Sequence, residues 1–241
     1  MGNKTSGTEL KLDDIVFSVT IIREKRKSVT LKIISGTRLL VKAPFAFPVS
    51  RIAELLEKKK KWILEHASVF TGEEMKLLPD RYTDGSRVYY MGEEHELKVR
   101  YKTETVIQRA GGIITVETAD RSEDHVRLQM LAWYKDRAGT EIRTMIRKFL
   151  PYIGESIGTI RIKSQKSRWG SCSELGNLNF NWHLILLPEA LMEYVVVHEL
   201  CHLKYLNHSA DFWNCVKRIL PDYRERETEL KKYGGLLCDP Y

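Results

Sequence analysis

The 241-residue chain lacks any apolar run approaching the ~20 residues that a membrane-spanning helix requires. No membrane span and no membrane partner are therefore expected. There is no CxxC pair among its four cysteines, Cys172, Cys201, Cys215 and Cys238, so the usual spacing of a structural zinc site is missing. Four thiols without that spacing suit reduced cysteines in a cytoplasmic protein. No apolar stretch followed by a small-residue cleavage site opens the chain, so no secretory leader is expected. Met1-Gly2 with Ser6 meets a myristoylation pattern that is short and common. Internal repeats and low-complexity segments are also lacking. Charge is not gathered in a tail: the net +7 divides into +4 up to residue 120 and +3 after it. A surplus spread in this way reads as solvated surface, with weak nucleic-acid association as the most it suggests.

What is present is an ordinary globular composition, 43% hydrophobic and 29% charged, enough for one large domain or two small ones. Residues 1–14 are polar and read as a loose end. Alternation over Ile15–Ile22, Ser28–Ile34 and Leu39–Val41 predicts antiparallel strands. Ser50 is placed to cap a helix running to about Ala67, with the Lys58–Lys61 run on its solvated face. Further strands are expected at Val88–Met91, Glu96–Tyr101, Thr105–Arg109 and Ile113–Val116. A long helix follows from Glu123 to Leu150, with Leu128, Leu131, Ala132, Ile142, Ile146 and Phe149 inward, and Pro151 ends it. The expected fold class is α+β: an N-terminal antiparallel β-rich region with one helix over 1–118, then a second domain over 119–241 in which Pro188 opens a helix.

The chemistry concentrates in His198-Glu199-Leu200-Cys201-His202. Two histidines four apart share one helix face and can address one metal ion. Glu199, one step round, is placed to act on water at that metal as a general base rather than as a ligand. A catalytic zinc site takes three protein ligands, so a third must come from elsewhere. His208 is the nearest candidate; Asp211 and Glu225 are alternatives. On a straight helix His208 would sit about 9 Å beyond His202. The helix must therefore end between them, and Asn207 in a left-handed conformation would turn the chain, with Ser209 capping a next helix over Ala210–Leu220. His66, His95, His125 and His183 are scattered and read as surface or packing histidines.

The segment Ser167-Arg168-Trp169-Gly170-Ser171-Cys172, through Gly176–Trp182 and the histidine helix to Asn207-His208-Ser209 and Phe212-Trp213, resembles the YgjP-like metallopeptidases. That group is related to SprT-like proteins and the minimal gluzincins, so the resemblance implies that residues 119–241 are a zincin-like catalytic domain whose HExxH helix packs beside a small sheet. The resemblance implies zinc ligands at His198, His202 and His208, with Glu199 as acid/base and a peptide or protein substrate. It also implies an edge strand beside the metal helix that holds substrate in extended form. Asn177–Asn181 is the candidate strand, with Arg168, Asn177 and Asn179 as substrate-binding residues. The His202–His208 spacing equals that of metzincins, but Tyr205 replaces their turn glycine and no methionine turn follows. The competing reading is a zinc-stabilised module that binds nucleic acid or protein without hydrolysis.

Overall fold

A computed structural model describes residues 4–67, 77–165 and 168–238. Met1-Gly2 and Ser167, both invoked above, lie outside them. The chain forms two compact units: residues 1–75 together with 231–238, and residues 76–230. The division falls at 75/76 rather than at 118, because the second β-rich stretch belongs to the unit that carries the histidine helix.

In the first unit, β1 (Lys4–Leu12), β2 (Ile15–Glu24), β3 (Thr30–Ser35) and β4 (Arg38–Pro44) form one sheet in the order β1-β2-β4-β3. The supposed loose end is thus an edge strand. Its pattern was weak because Ser6 and Thr8 stand opposite the core residues Ile21 and Val19, where apolar partners would normally signal a strand. The sheet is mixed rather than antiparallel: β2 and β4 run parallel. Phe17, Val19, Ile21, Leu39, Val41 and Ala43 line its inner face. Ile52, Leu56 and Ile63, from α1 (Val49–Lys58) and α2 (Lys60–Ala67), belong to the same apolar core. Two helices replace the single one expected. Pro48, not Ser50, occupies the first cap, and Lys59 interrupts the pair.

In the second unit β5 (Arg87–Tyr90), β6 (Glu93–Tyr101), β7 (Val106–Ala110) and β8 (Ile113–Thr118) form a sheet in the order β5-β6-β8-β7. Its pairings copy those of the first sheet: an antiparallel hairpin, a parallel middle pair and an antiparallel edge. Even the hairpin turns agree, since Asp13 and Met91 both have φ of 52°. The chain therefore repeats a four-stranded topology that no sequence similarity announces. The Met91 turn is anchored by N–H bonds from Met91 to Ile185 O and from Gly92 to Leu186 O. Gly92 lies so close to Pro188 that an added Cβ would meet it at 2.8 Å, so this turn fixes the start of the histidine helix.

The long helix α3 (Glu123–Ile153) runs past Pro151 to a left-handed Gly154, whose N–H reaches Leu150 O. Proline in the last turn removes only one bond and its ring restricts φ to a helical value, so it did not end the helix. The buried stripe is Val126, Met130, Tyr134, Ala138 and Ile142, whereas Leu128 is 63% exposed and Ala132 is exposed. A three-stranded sheet, β9 (Ile160–Lys163), β10 (Gly170–Cys172) and β11 (Leu178–Asn181), has the order β10-β11-β9. A short 3-10 turn, Trp182–Leu186, leads to α4 (Glu189–Cys201), then α5 (Ala210–Ile219) and α6 (Tyr223–Lys231). The whole is α+β, and no helix among the described residues is long and apolar enough to cross a membrane.

Candidate metal centre

Helix α4 starts at Pro188, where a missing N–H costs nothing. Val195, Val196 and Val197 favour strand locally, yet all three are buried here. The helix is apolar on nearly every side, and α3, β10 and α5 pack against it. Burial thus overrides local preference, and the centre of the unit presents His198 and His202.

The helix ends directly at this pair. Leu203 N–H bonds Leu200 O, and Lys204 and Tyr205 N–H both bond Cys201 O, which tightens the last turn. Asn207 does not adopt positive φ; among the described non-glycine residues only Asp13 and Met91 do. The turn comes five residues earlier than expected, so no left-handed residue is required. Ser209 then caps α5, its hydroxyl accepting Phe212 N–H at 3.4 Å.

This path returns His208 to the other two histidines. One ring nitrogen from each of His198, His202 and His208 lies within 4.8 Å of the others, and the Nε2 atoms of His198 and His208 are 3.0 Å apart. The Tyr205 carbonyl sits 2.9 Å from His202 Nδ1. With the proton on Nδ1, Nε2 keeps its lone pair for a ligand. Burial, helped by the neighbouring imidazoles, pushes His198 down to about 3, and burial also lowers His202. Both rings are neutral near pH 7, the state in which imidazole binds metal. Convergent neutral nitrogens with little else to bond fit a divalent ion of the zinc type. No other described histidine joins such a group, and Asp211 and Glu225 stand outside it. His95 bonds its own strand and His183 bonds Asn181.

Two aromatic residues at the site carry no role in the sequence reading. Phe212 is fully buried, with its ring centre 4.9, 4.5 and 4.8 Å from those of His198, His202 and His208. Trp213 stacks on His208 at 5.6 Å and, on its other side, on Tyr223 at 5.3 Å. Their sequence signals were a place in the first turn after the Ser209 cap and membership of the segment that carries the family resemblance. Tyr205 contributes its backbone carbonyl.

Glu199 is 6% exposed and lies against β10. Burial pushes its carboxyl up to about 8, opposed by the Arg168 charge and by the Cys172 backbone N–H. Gly170 makes this placement possible: a Cβ there would fall 2.7 Å from Glu199 Cγ and Oε1. Arg168 is thereby placed beside the carboxylate.

The candidate strand Asn177–Asn181 lies largely in β11, the middle strand of its sheet. β11 pairs with β10 on one side and β9 on the other, so neither of its edges is free for a peptide. Asn177 Oδ1 accepts from Thr159 N–H and Oγ1, and Asn179 Nδ2 donates to Ser171 Oγ. Both side chains brace the sheet. The strand at the sheet edge beside Glu199 is β10.

A buried carboxylate beside three converging histidines, on a helix flanked by a small sheet, defines a metallopeptidase type of centre. A family profile described as "YgjP-like, metallopeptidase domain" matches residues 27–233, and the chain belongs to that family. No curated protein matches it. Among solved structures it is similar to the metallopeptidase zymogen of Pyrococcus abyssi abylysin, at 25% identity and a TM-score of 0.35 over 37% of this chain and 90% of that one. It is also similar to the zymogen of Methanocaldococcus jannaschii jannalysin, at 30% identity and a TM-score of 0.33 over 37% of this chain and 91% of that one.

Proposed function

We propose that the protein is a zinc-dependent peptidase that cleaves peptide bonds, with His198, His202 and His208 holding the ion and Glu199 as general base and acid. The observation that carries this reading is the buried Glu199, next in the chain to His198, the first of the three converging histidines. A module that used metal for stability alone would gain nothing from burying an acid there, since burying a carboxylate is costly.

His198, His202 and His208 would hold the ion, and bound zinc would supply a Lewis acid that polarises a carbonyl and acidifies water. Glu199 takes the proton released from that water and delivers it to the departing amine. A carboxyl raised by burial holds a proton more tightly than an exposed one, which suits delivery to the amine; a cation held by the histidines would favour the ionised form that accepts the proton first. The Cys172 N–H and the tight fit against Gly170 hold the carboxylate in one orientation.

The β10 edge is the natural seat for an extended substrate, because main-chain pairing there would carry a peptide past Glu199 with little sequence preference. Arg168 stands at the entrance to that edge. The purified chain loaded with zinc is expected to generate new amino termini in a mixture of unstructured peptides, read by mass spectrometry. Chelation is expected to abolish cleavage and added zinc to restore it. Cleavage that persists through complete metal removal would overturn the proposal.

A further inference from the structure

The net charge is spread along the sequence, but the fold segregates it. The first unit, residues 1–75 and 231–238, holds 16 Lys and Arg against 9 Asp and Glu. That is +7, the whole net charge of the chain, so the rest of the chain balances 23 against 23. A cut at residue 120 hides this, because residues 76–120 carry a net −1 and the C-terminal Lys231 and Lys232 return to the first unit.

Within that unit the exposed cations gather at opposite ends of the first sheet. At one end, Lys25 and Lys27 are exposed in the β2–β3 turn, and exposed Arg51 lies in the first turn of α1. Arg23 at this end is committed to the carbonyls of Pro44, Phe45 and Phe47, and Arg26 pairs with Glu24. At the other end, Lys58, Lys59 and Lys61 are exposed where α1 meets α2. This junction is fixed at the β1–β2 turn by the Lys60–Asp13 ion pair at 2.6 Å. The acids nearby are Asp14 in that turn, Glu54 and Glu57 on α1, and Glu65 beside Lys61. Ten residues of β2 separate the ends, roughly 30 Å at about 3.4 Å per residue.

A small anion cannot touch both clusters; a polymer of phosphates can. We propose that the first unit is a nucleic-acid-binding module whose two lysine clusters are bridged by a single strand of DNA or RNA. An anionic membrane fits less well. The outer face of β1 and β2 between the ends presents exposed Thr5, Gly7, Glu9, Lys11 and Ser18, with Val16 as its one exposed large apolar side chain rather than a band of them. Hydroxyls and backbone on such a face can position phosphates and sugars. The binding is set by charge, so it is expected to weaken steeply with salt.

The test uses the full-length chain and a fluorescent single-stranded oligonucleotide, read by anisotropy across a salt series. The native chain is expected to bind at low salt, with log affinity falling linearly against log salt. The reversals Lys25→Glu with Lys27→Glu, and separately Lys58→Glu with Lys59→Glu, are each expected to weaken binding about tenfold or more and to flatten the salt slope. Arg100→Glu with Arg121→Glu changes net charge equally within the neutral unit and is expected to have little effect. Poly-glutamate and vesicles of anionic lipid are expected not to bind comparably. The inference is overturned if the oligonucleotide does not bind at low salt, or if the control reversal weakens it equally. Equal binding of poly-glutamate or vesicles would also overturn it. The readout is independent of hydrolysis and of the peptidase reading.

Discussion

Glu199→Gln is expected to lower peptide hydrolysis by at least about 10²–10⁴-fold, the usual worth of a positioned general acid/base. Zinc content should stay at the native level, because the glutamate is not a ligand. The substitution is nearly isosteric, so packing against Gly170 is kept. It also removes a carboxyl that burial disfavours in its charged form, so the fold should be no less stable. Activity and stability should therefore move apart, which loss of a merely structural residue would not produce. Gly170→Ala acts on the same group from the other side. Its methyl would need the space of Glu199 Cγ and Oε1, so the carboxylate must shift and hydrolysis should fall with zinc retained. Steady-state assay with elemental analysis checks both variants. Native-level turnover in Glu199→Gln would remove the acid/base role.

The second large effect is expected from His208→Ala. Three imidazoles become two, and zinc affinity should drop by more than the ~10–100-fold that loss of an outer-shell partner causes. His208 is the most informative ligand to remove because it is exposed, on the short link between α4 and α5. His198 is largely enclosed and its removal would also open a hole in the packing. The melting temperature of metal-free His208→Ala should stay close to that of the metal-free native chain, while the stabilisation that zinc gives the native protein disappears. Undiminished zinc affinity would mean that the third ligand lies elsewhere.

The convergence of the three histidines was legible because its signal is local. His198 and His202 are one helical turn apart, and Ser209 announces the next helix start, so His208 stood as the nearest candidate to return, with Asp211 and Glu225 as alternatives. How the chain turned was not legible. The stop came from main-chain bonds to the carbonyls of Cys201 and Leu200, which nearly any residue can make, and so Asn207 was assigned a task it does not perform. The substrate edge failed for a different reason. Alternation marks a strand but not its neighbours, and β9 lies across the sheet from β10, on the far side of β11. Asn177 and Asn179 read as exposed polar groups in front of a site, yet they tie β11 to its surroundings. The first strand was hidden by its polar edge residues, and the helix face of α3 was misread at Leu128, two residues from each of the buried Val126 and Met130. The repeated sheet topology and the segregated charge are properties of pairing and of chain return. Neither has a signature in a linear window.

The central claim is that the three histidines hold a metal at which Glu199 works. The most direct measurement is anomalous scattering at the zinc edge from crystals of the protein purified without chelator. The expected result is one strong peak about 2.0–2.1 Å from a ring nitrogen of each of His198, His202 and His208, with Glu199 outside bonding distance. A peak at other residues, or none from protein shown by elemental analysis to contain zinc, would contradict it.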